Sequence, residues 1–237
     1  MPRLSAERTN FPYGANLVAA PQLREYAEIV ARISHDAPEV ILDWGCGHGQ
    51  VSSMLAAAGL RVESFDYRGP DAPNAVMSLP SFPEVHAYIS SEHVALPYQD
   101  TSFNAVLSCG VLEHVKDPDS SLDEIKRVLT PGGFLYCFKL PNRHSYIEGL
   151  CRVAGLYHHG RDEFDRLYTL GSARALFERH GFEVLEARYT NMLPLLLPGQ
   201  WARAAEKPIW GLNRALSRVP GLRLLATNVE LVARAPG

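Results

Sequence analysis

A glycine-rich segment between a short apolar run and a helix-forming run constrains this chain more than any other feature. The apolar run at 39–44 leads into Gly-Cys-Gly-His-Gly at 45–49, and residues 51–58 have helix-forming composition and stop at Gly59. This order predicts a strand, a tight loop and a helix. Glycines at alternate positions let the loop backbone approach a ligand and present N–H groups that a Cβ would obstruct.

The spacing of the glycines distinguishes two kinds of ligand. A dinucleotide fingerprint requires GxGxxG, but Gln50 stands at the last position and the third glycine falls one place early, at Gly49. Asp66 lies 17 residues beyond Gly49 at the end of the next predicted strand, where its carboxylate can accept hydrogen bonds from both hydroxyls of a ribose. The two motifs together indicate a nucleoside ligand. The alternative is an ordinary strand–helix turn with a surface aspartate.

The rest of the chain continues the alternation of strands and helices. Asp117 and Pro118 cap and open one helix, and a second helix at 173–180 is closed by Gly181. Four further strands are predicted at 103–109, 134–140, 182–189 and 228–234. We therefore expect a parallel sheet covered on both faces. No crossover helix of the earlier kind separates the last two strands, so they are expected to form an antiparallel pair at one edge.

The composition is that of one ordinary globular domain. The chain has 237 residues, 46% of them apolar and 21% charged, which argues against collagen-like, coiled-coil and disordered classes. A net charge of −3 argues against a nucleic-acid partner. The four cysteines form no CxxC pair, which argues against a zinc site or a disulfide framework; they are Cys46, Cys109, Cys137 and Cys151. No signal-peptide or membrane-spanning pattern occurs, so we expect a cytoplasmic protein without a resident metal ion.

Four motifs together resemble the class I S-adenosylmethionine-dependent methyltransferases of the small-molecule, type 11-like kind. They are the loop at 40–49, Leu-Pro-Tyr-Gln-Asp-Thr-Ser-Phe-Asn-Ala-Val at 96–106, Leu-Glu-His-Val at 112–115 and Leu-Thr-Pro-Gly-Gly-Phe-Leu at 129–135. The resemblance covers about residues 38–140 and is weaker through the late strand pair. Two positions depart from the family pattern: Asn104 stands where an aspartate is usual, and Trp44 is bulkier than usual.

The resemblance implies a doubly wound α/β fold with a seven-stranded, mainly parallel sheet and an antiparallel last strand, the Rossmann-like methyltransferase fold. One domain of 237 residues is expected, with helical insertions. Its parts are an N-terminal helical lid at 1–37, a cofactor-binding core at 38–140, a cap at 141–171 and a C-terminal part at 172–237 that includes an amphipathic insertion at 191–225.

The resemblance also implies how S-adenosylmethionine is bound at its methionine end. Asp43 would hold the ammonium group, and the loop residues that would pack against the methionine part are Gly45, Cys46 and Gly47. Cys109 and Gly110, at the end of the strand at 103–109, would lie under the sulfonium. For Cys46 and Cys109 the alternative is a small buried residue that serves packing alone.

At the nucleoside end, the resemblance implies that Asp66 binds the ribose hydroxyls and that Tyr67 packs on the adenine. Glu92 aligns with the acid that receives the adenine amino group, and His93 follows it in the same pocket wall.

Methyl transfer requires that water be excluded, that a nucleophile be aligned and, for a hydroxyl, that a proton be removed. His114 is the best candidate for this base or for a substrate contact, because it follows a strand at the carboxyl edge where open α/β sheets bind ligands. The alternative is a histidine at a helix start, bonded to backbone. His158 and His159 of the cap are weaker candidates for facing substrate, and Tyr13 is a candidate member of the lid.

The segment at 201–225 carries a local charge of +4, from Arg203, Lys207, Arg214, Arg218 and Arg223 against Glu206. Its apolar residues recur at helical spacing, at Ile209, Leu212, Leu216 and Val219, and Trp210 lies among them. Three interpretations stay open: the helix lies on anionic lipid at the inner membrane face, it lines the path of an amphiphilic substrate, or it docks on the body with its arginines in water.

The sequence thus predicts methyl transfer from S-adenosyl-L-methionine to a small or amphiphilic acceptor, at oxygen. We expect no nucleic-acid partner, and a peripheral membrane contact through 201–225 is one open expectation. A nicotinamide-dependent oxidoreductase on a related fold, or a non-catalytic membrane-surface protein that keeps the fold, are the alternatives.

Overall fold

Eight strands form one sheet in the computed structural model, which describes residues 20–155, 164–193 and 206–237. The strands are β1 (Val40–Trp44), β2 (Arg61–Tyr67), β3 (Ala75–Leu79), β4 (Phe82–Ser90), β5 (Phe103–Cys109), β6 (Leu129–Pro141), β7 (Glu183–Thr190) and β8 (Asn228–Arg234). Their order across the sheet is β3-β4-β2-β1-β5-β6-β8-β7. The five strands β4, β2, β1, β5 and β6 are parallel, and β3, β8 and β7 pair antiparallel with their neighbours.

The helices that the structure describes lie between these strands or pack on them. They are α1 (Ala20–Asp36), α2 (Gln50–Ala57), α3 (Pro118–Val128), α4 (Tyr146–Val153), α5 (Leu170–Arg179) and α6 (Glu206–Leu216), followed by a 3₁₀ turn at Leu222–Leu225. Within the described ranges, none of them is long and apolar enough to cross a membrane.

The expected sheet is confirmed except for its strand number, which is eight and not seven. The extra strand is β3, which forms a hairpin with β4 and occupies the sheet edge. It lies between β2 and β4 in the chain, and the buried residues of the hairpin pack beneath the glycine loop. Leu79 and Val85 are buried there, and a Cβ built on Gly49 would stand 2.6 Å from Leu79 Cδ1.

Both faces of the sheet are covered, as the apolar runs predict. Ile33 of α1 and Leu55 of α2 pack with Ile41 of β1 on one face. Leu122 of α3 and Phe177 of α5 pack against the other face. Because parallel strands lie in the middle of the sheet, β5 is covered on both faces, and five of its seven residues are buried.

Local sequence signals set the start of α3 and the end of α5 where they were expected, but α5 begins at Leu170, three residues before the predicted start, because Thr169 caps it. Asp117 caps α3 by accepting a hydrogen bond from the Ser120 amide at 3.1 Å, and Pro118 takes the first helical position. Gly181 follows α5 with φ +84°. The strand β6 begins at Leu129, five residues before the predicted start at Phe134, because Leu129 already pairs with Phe103.

The described part of the segment at 201–225 contains the helix α6, which packs against α1. The Arg24 guanidinium lies 5.7 Å from the ring centroid of Trp210, and Asn213 is buried. Leu212 and Val219, two of the four residues at helical spacing, remain 47% and 45% exposed. The helix therefore docks on the body through Trp210 and Asn213 and leaves part of its apolar surface in solvent.

Several sequence-based expectations lie outside the described residues. They concern Tyr13 and the rest of 1–19, His158 and His159, and the stretch 194–205 with Trp201 and Arg203.

Alanine substitutions at two glycines, Gly133 and Gly149, test how closely the chain packs around each of them. A Cβ built on Gly133 would stand 2.9 Å and 3.0 Å from the carbonyl oxygens of Thr130 and Asn104, whereas nothing lies within 4 Å of a Cβ on Gly149 in α4. Gly133→Ala is expected to lower the free energy of unfolding by about 1–3 kcal/mol through overpacking. Gly149→Ala is expected to raise it by about 0.5–1 kcal/mol because it restricts the unfolded chain. Urea unfolding of both variants measures the difference, and equal effects would contradict the packing described here.

Candidate functional site

The loop between β1 and α2 is held by one carbonyl group of the neighbouring strand. The amides of Gly45 and Cys46 both donate to the Phe65 oxygen, at 2.8 Å and 2.9 Å, and the Gly49 amide donates to the Cys46 oxygen at 2.9 Å. The expectation that the loop offers free N–H groups to a ligand is therefore wrong for Gly45 and Cys46. Their amides continue the hydrogen bonding between β1 and β2.

The glycines allow other groups to approach the loop backbone closely. Gly45 has φ +76°, and a Cβ there would stand 2.5 Å from Val111 Cγ2, so the loop packs tightly against the segment after β5. Gly47 has φ +53° and nothing within 4 Å of the position of a Cβ. Gly47 therefore presents bare backbone to open space, where a ligand can lie directly against it.

Asp43 ends β1 as a buried carboxylate below this loop. Ser52 Oγ donates to Asp43 Oδ2 at 2.6 Å, and Ser64 Oγ donates to Ser52 Oγ at 2.9 Å. Burial raises the pKa of Asp43 to about 6, opposed by the Ser52 hydrogen bond and supported by the negative charge of Asp66. A cation at this position would stabilise the ionised carboxylate, which suits Asp43 to hold an ammonium group.

Asp66 ends β2 beside the loop and is paired with Arg68. Arg68 Nε donates to Asp66 Oδ2 at 2.9 Å, and its terminal nitrogen donates to the Gly47 oxygen at 3.0 Å. Burial raises the pKa of Asp66, and the Arg68 hydrogen bond and charge oppose that rise. Sequence reasoning missed Arg68, although its position two residues beyond Asp66 places both on the same side of an extended chain.

Tyr67 and His93 meet in one wall of the site, as expected. Their ring centroids are 4.3 Å apart at an interplanar angle of 33°, and the Tyr67 hydroxyl lies 3.1 Å from His93 Nε2. Glu92 precedes His93, with its amide bonded to Ser90 Oγ at 2.9 Å and its side chain exposed. The three residues are thus adjacent at the carboxyl ends of β2 and β4.

Cys109 and Gly110 lie at the end of β5, on the same sheet edge. The Gly110 amide donates to the Phe138 oxygen at 3.0 Å, and its φ is +71°. Burial raises the pKa of the Cys109 thiol well above its usual range, so this thiol stays protonated. Burial raises the pKa of Cys46 in the same way. Neither cysteine is placed as a nucleophile.

His114 stands in a turn three residues before the cap of α3, with an acidic partner. Its Nδ1 lies 2.7 Å from Asp165 Oδ1, and the imidazole is 44% exposed while the Asp165 side chain is 3% exposed. Glu113 Oε1 lies 3.8 Å from Nε2. The His114 side chain thus bonds to a carboxylate through Nδ1, and the His114 backbone amide donates to the Val111 oxygen at 2.9 Å. Asp165 could not be found from spacing, because 51 residues separate it from His114.

A second buried pair lies at the carboxyl end of β6. Lys139 Nζ is 3.4 Å from Glu25 Oε2, and it stands 5.0 Å from the ring centroid of Tyr26. Glu25 also accepts hydrogen bonds from Gln22 Nε2 at 2.7 Å and from Asn191 Nδ2. Burial by itself would lower the pKa of Lys139, but the Glu25 carboxylate holds that pKa above its usual value. Sequence reasoning missed this pair, because α1 and β6 are distant in the chain.

The ends of β1, β2, β4, β5 and β6 therefore bring the sequence-predicted residues to one sheet edge, around a glycine loop and a ribose-competent carboxylate. In the part of the chain that the structure describes, no three His, Cys, Asp or Glu side chains are grouped as a metal site. This arrangement defines a nucleoside-binding α/β protein of the Rossmann-like kind.

Comparison with known proteins gives the family. A family model described as a methyltransferase domain matches residues 42–137. An uncharacterised methyltransferase of Mycolicibacterium vanbaalenii is 30% identical over 210 residues, which cover 82% of this chain and 75% of that protein. A ubiquinone biosynthesis O-methyltransferase of Dinoroseobacter shibae is 28% identical over 167 residues, or 68% of this chain and 66% of that enzyme. Against three other mycobacterial relatives, the chain spans 59% to 87% of their length.

Among solved structures, the 1,6-didemethyltoxoflavin-N1-methyltransferase of Burkholderia thailandensis superimposes with a TM-score of 0.57 at 15% identity, covering 100% of this chain and 93% of that one. This likeness shows the fold. Together with the relatives, it establishes that the chain belongs to the class I S-adenosylmethionine-dependent methyltransferases, with S-adenosylmethionine as the cofactor. The nicotinamide-dependent alternative is therefore wrong, in agreement with the early position of Gly49.

The buried carboxylate of Asp43 gives a measurable pH dependence. Because the pKa of Asp43 is raised from 3.8 to about 6 on folding, the folded state binds this proton more tightly. The resulting stability is present below about pH 4 and is lost as the pH rises through about 6. Between these values, the free energy of unfolding of the wild type should fall by about 3 kcal/mol relative to that of Asp43→Asn.

Urea unfolding over a pH series measures this change. Asp119→Asn is the control, because hydrogen bonds from Arg179 and His180 lower the pKa of Asp119 and place its effect at a lower pH. Parallel stability curves for wild type and Asp43→Asn would show that the Asp43 pKa is not raised.

Proposed function

We propose that this methyltransferase acts on a hydroxyl oxygen of a small or amphiphilic acceptor, with His114 as the base. The observation that carries the proposal is the pair formed by His114 and the nearly buried Asp165, 2.7 Å apart, beyond the carboxyl end of β5. An amine acceptor is already nucleophilic in its neutral form, whereas a hydroxyl gains most from a base that takes its proton.

The described residues fit the cofactor at each end. Asp43 binds the ammonium group, and the loop formed by Gly45, Cys46 and Gly47 packs against the methionine part. Support comes from the raised pKa of Asp43 and from the open space over Gly47. Cys109 and Gly110 lie below the sulfonium and contribute packing and backbone, because the Cys109 thiol stays protonated.

At the nucleoside end, Asp66 accepts hydrogen bonds from the ribose hydroxyls. Arg68 donates to Oδ2 of that carboxylate and the Gly47 backbone also hydrogen-bonds to Asp66, so the ribose hydroxyls would use the remaining acceptor positions of the two oxygens. Tyr67 and His93 form the wall beside the adenine, and Glu92 receives its amino group. The contact between the two rings gives this wall a continuous aromatic surface.

S-adenosylmethionine supplies an activated methyl group on sulfur, so the chain has three tasks: to orient the acceptor, to exclude water and to receive a proton. Asp165 holds the imidazole through Nδ1, and the acceptor hydroxyl would give its proton to Nε2, the nitrogen that faces Glu113 Oε1 at 3.8 Å. The Asp165 carboxylate then stabilises the imidazolium that forms. One relative of the chain is a ubiquinone biosynthesis O-methyltransferase, which also acts at oxygen and supports this assignment.

The amphiphilic character of the acceptor is supported by the surface around α6. Leu212, Val219, Leu224 and Leu225 are each between 43% and 47% exposed. They lie next to Arg214, Arg218 and Arg223, so apolar and cationic groups alternate there. A peripheral contact with an anionic membrane through 206–225 would deliver such an acceptor and forms part of the proposal.

The first test concerns the ribose contact. Asp66→Ala removes a charge-assisted hydrogen-bond acceptor and is expected to weaken binding of S-adenosylhomocysteine by about 1.5–3 kcal/mol. Isothermal titration calorimetry measures the affinity. The exposed Asp71, five residues further along, provides the matched control Asp71→Ala, which should bind as the wild type does. An unchanged affinity in Asp66→Ala would remove Asp66 from the site.

The second test concerns the base. His114→Gln is expected to lower kcat by about 10²–10⁴-fold with hydroxyl acceptors, the usual contribution of a general base, and to leave S-adenosylhomocysteine affinity unchanged. Asp165→Asn should lower kcat in the same assay and shift the pH dependence of kcat. Formation of S-adenosylhomocysteine with a panel of phenolic, catecholic and amine acceptors provides the readout.

His86→Gln, at an exposed position of β4, is the control for the loss of an imidazole. Turnover of amine acceptors alone, or full activity of His114→Gln, would overturn the assignment of an oxygen nucleophile with His114 as its base.

A further inference from the structure

A cavity of about 580 Å³ lies between α1, α6 and the β6-β8-β7 part of the sheet, away from the glycine loop. Its volume is in the range of small-molecule sites in proteins. One part of its lining is apolar or aromatic, formed by Ile29, Phe138, Tyr189 and Trp210. The cavity can therefore accommodate an aliphatic or aromatic body.

Another part of the lining is cationic and lacks counter-charges. Arg214 of α6, Arg218 of the turn that follows α6 and Arg223 of the 3₁₀ turn all line the cavity. Among the described residues, none of the three has a carboxylate within 4.0 Å. Arg214 lies in the last turn of α6 and Arg218 in the turn that follows, and both border the same cavity. Three guanidinium groups collected without an acid indicate a site for an anion.

The other charged groups of the lining are already compensated. Arg188 binds Glu230 through two nitrogens, at 2.9 Å and 2.8 Å, and Arg32 binds Glu186 at 2.6 Å. Glu25 is paired with Lys139. Glu28 is the remaining acid of the lining and is exposed to solvent. The uncompensated positive charge of the lining therefore belongs to Arg214, Arg218 and Arg223.

Two buried donors in the same lining point to the same kind of ligand. Trp210 Nε1 and Asn213 Nδ2 are both buried, and neither has a hydrogen-bond acceptor among the described residues. A buried donor without an acceptor costs free energy. Both groups only donate, as do the guanidinium groups, so the missing partner is an oxygen acceptor. An oxyanion in the cavity supplies such an acceptor to the guanidinium groups.

The cavity adjoins the carboxyl edge of the sheet through Glu25. Glu25 lines the cavity and binds Lys139 at 3.4 Å. Phe138, which precedes Lys139 and also lines the cavity, is the register partner of Cys109 in β5. Cys109 ends β5, where the proposed function places the sulfonium. The cavity therefore lies beside the strand pair at whose end methyl transfer is proposed.

We propose that this cavity is the acceptor subsite and takes an amphiphilic molecule with an oxyanion, a phosphate or a carboxylate, held by Arg214, Arg218 and Arg223. That the bound molecule is the methyl acceptor rests on the proposed function. Its binding to the cavity can be tested separately. The apolar lining holds the body of the molecule, and the body extends toward the Glu25–Lys139 pair.

The experiment measures binding of decyl phosphate to the full chain saturated with S-adenosylhomocysteine, by isothermal titration calorimetry below the critical micelle concentration. Decanol lacks the anion and inorganic phosphate lacks the chain, so both are expected to bind at least about tenfold more weakly. The double variant Arg214→Gln/Arg218→Gln should lose decyl phosphate binding by about tenfold or more. The charge-matched control Arg61→Gln/Arg174→Gln changes two exposed arginines that do not line the cavity and should bind normally.

The same titrations separate this inference from the proposed function. An unchanged affinity for S-adenosylhomocysteine in Arg214→Gln/Arg218→Gln shows that the variant is folded. Equal decyl phosphate binding by the two double variants would overturn the subsite, and so would displacement of S-adenosylhomocysteine by decyl phosphate. Failure of the wild type to bind S-adenosylhomocysteine would refute the cofactor site. The comparison of decyl phosphate binding between the two double variants would still decide whether the cavity holds an anion.

A vesicle assay distinguishes the two sources of the oxyanion. Phosphatidylcholine vesicles with and without phosphatidylglycerol are sedimented with the protein in the presence of saturating decyl phosphate. Vesicle binding that decyl phosphate abolishes assigns the cavity to a lipid headgroup. Decyl phosphate binding without vesicle association assigns it to a free amphiphile. Vesicle binding that depends on Arg214 and Arg218 but is insensitive to decyl phosphate would place the anion on the outer surface and overturn the proposal.

Discussion

The Phe65 carbonyl fixes the loop on which the site depends. The consecutive amides of Gly45 and Cys46 both donate to this one oxygen. Any other path of the loop past β2 would lose both hydrogen bonds. Gly45 tolerates this because it has no Cβ to meet Val111. The arrangement ties the loop to β2, which also carries Asp66. The loop would hold the methionine part of the cofactor and Asp66 would hold its ribose, so both contacts share one rigid support.

The charges of the site follow from burial. Asp43, Asp66 and Asp165 are acids with little exposure, and each has a different compensation: hydroxyl groups for Asp43, a guanidinium for Asp66 and an imidazole for Asp165. Only Asp43 lacks a cationic partner at hydrogen-bond distance among the described residues, and burial raises its pKa to about 6. This is the property that suits it to an ammonium ligand and separates it from the other two.

Local signals in the sequence predicted the strands β1, β2 and β5, the cap of α3 and the antiparallel pair β7–β8, because each depends on residues close together in the chain. The hairpin of β3 and β4 was not predicted, since its prolines and mixed polarity carry no clear period. Partners such as Asp165 for His114, or Glu25 for Lys139, could not be found because the fold alone brings them together. The candidate cofactor residues were placed at one sheet edge through a family resemblance, while the arginine-lined cavity needed the docking of α6 on α1.

The edge strand β3 has a further consequence, for the way copies of this protein meet one another. No strand of the described residues pairs with its outer side, and Val76 and Met77 on it are 64% and 48% exposed. Such an edge can add a strand from a second molecule and start aggregation. Pro73 stands two residues before the strand and Pro80 directly after it, where neither can donate a hydrogen bond to an incoming chain. The prolines confine the open ladder to five residues, which keeps intermolecular pairing short and weak.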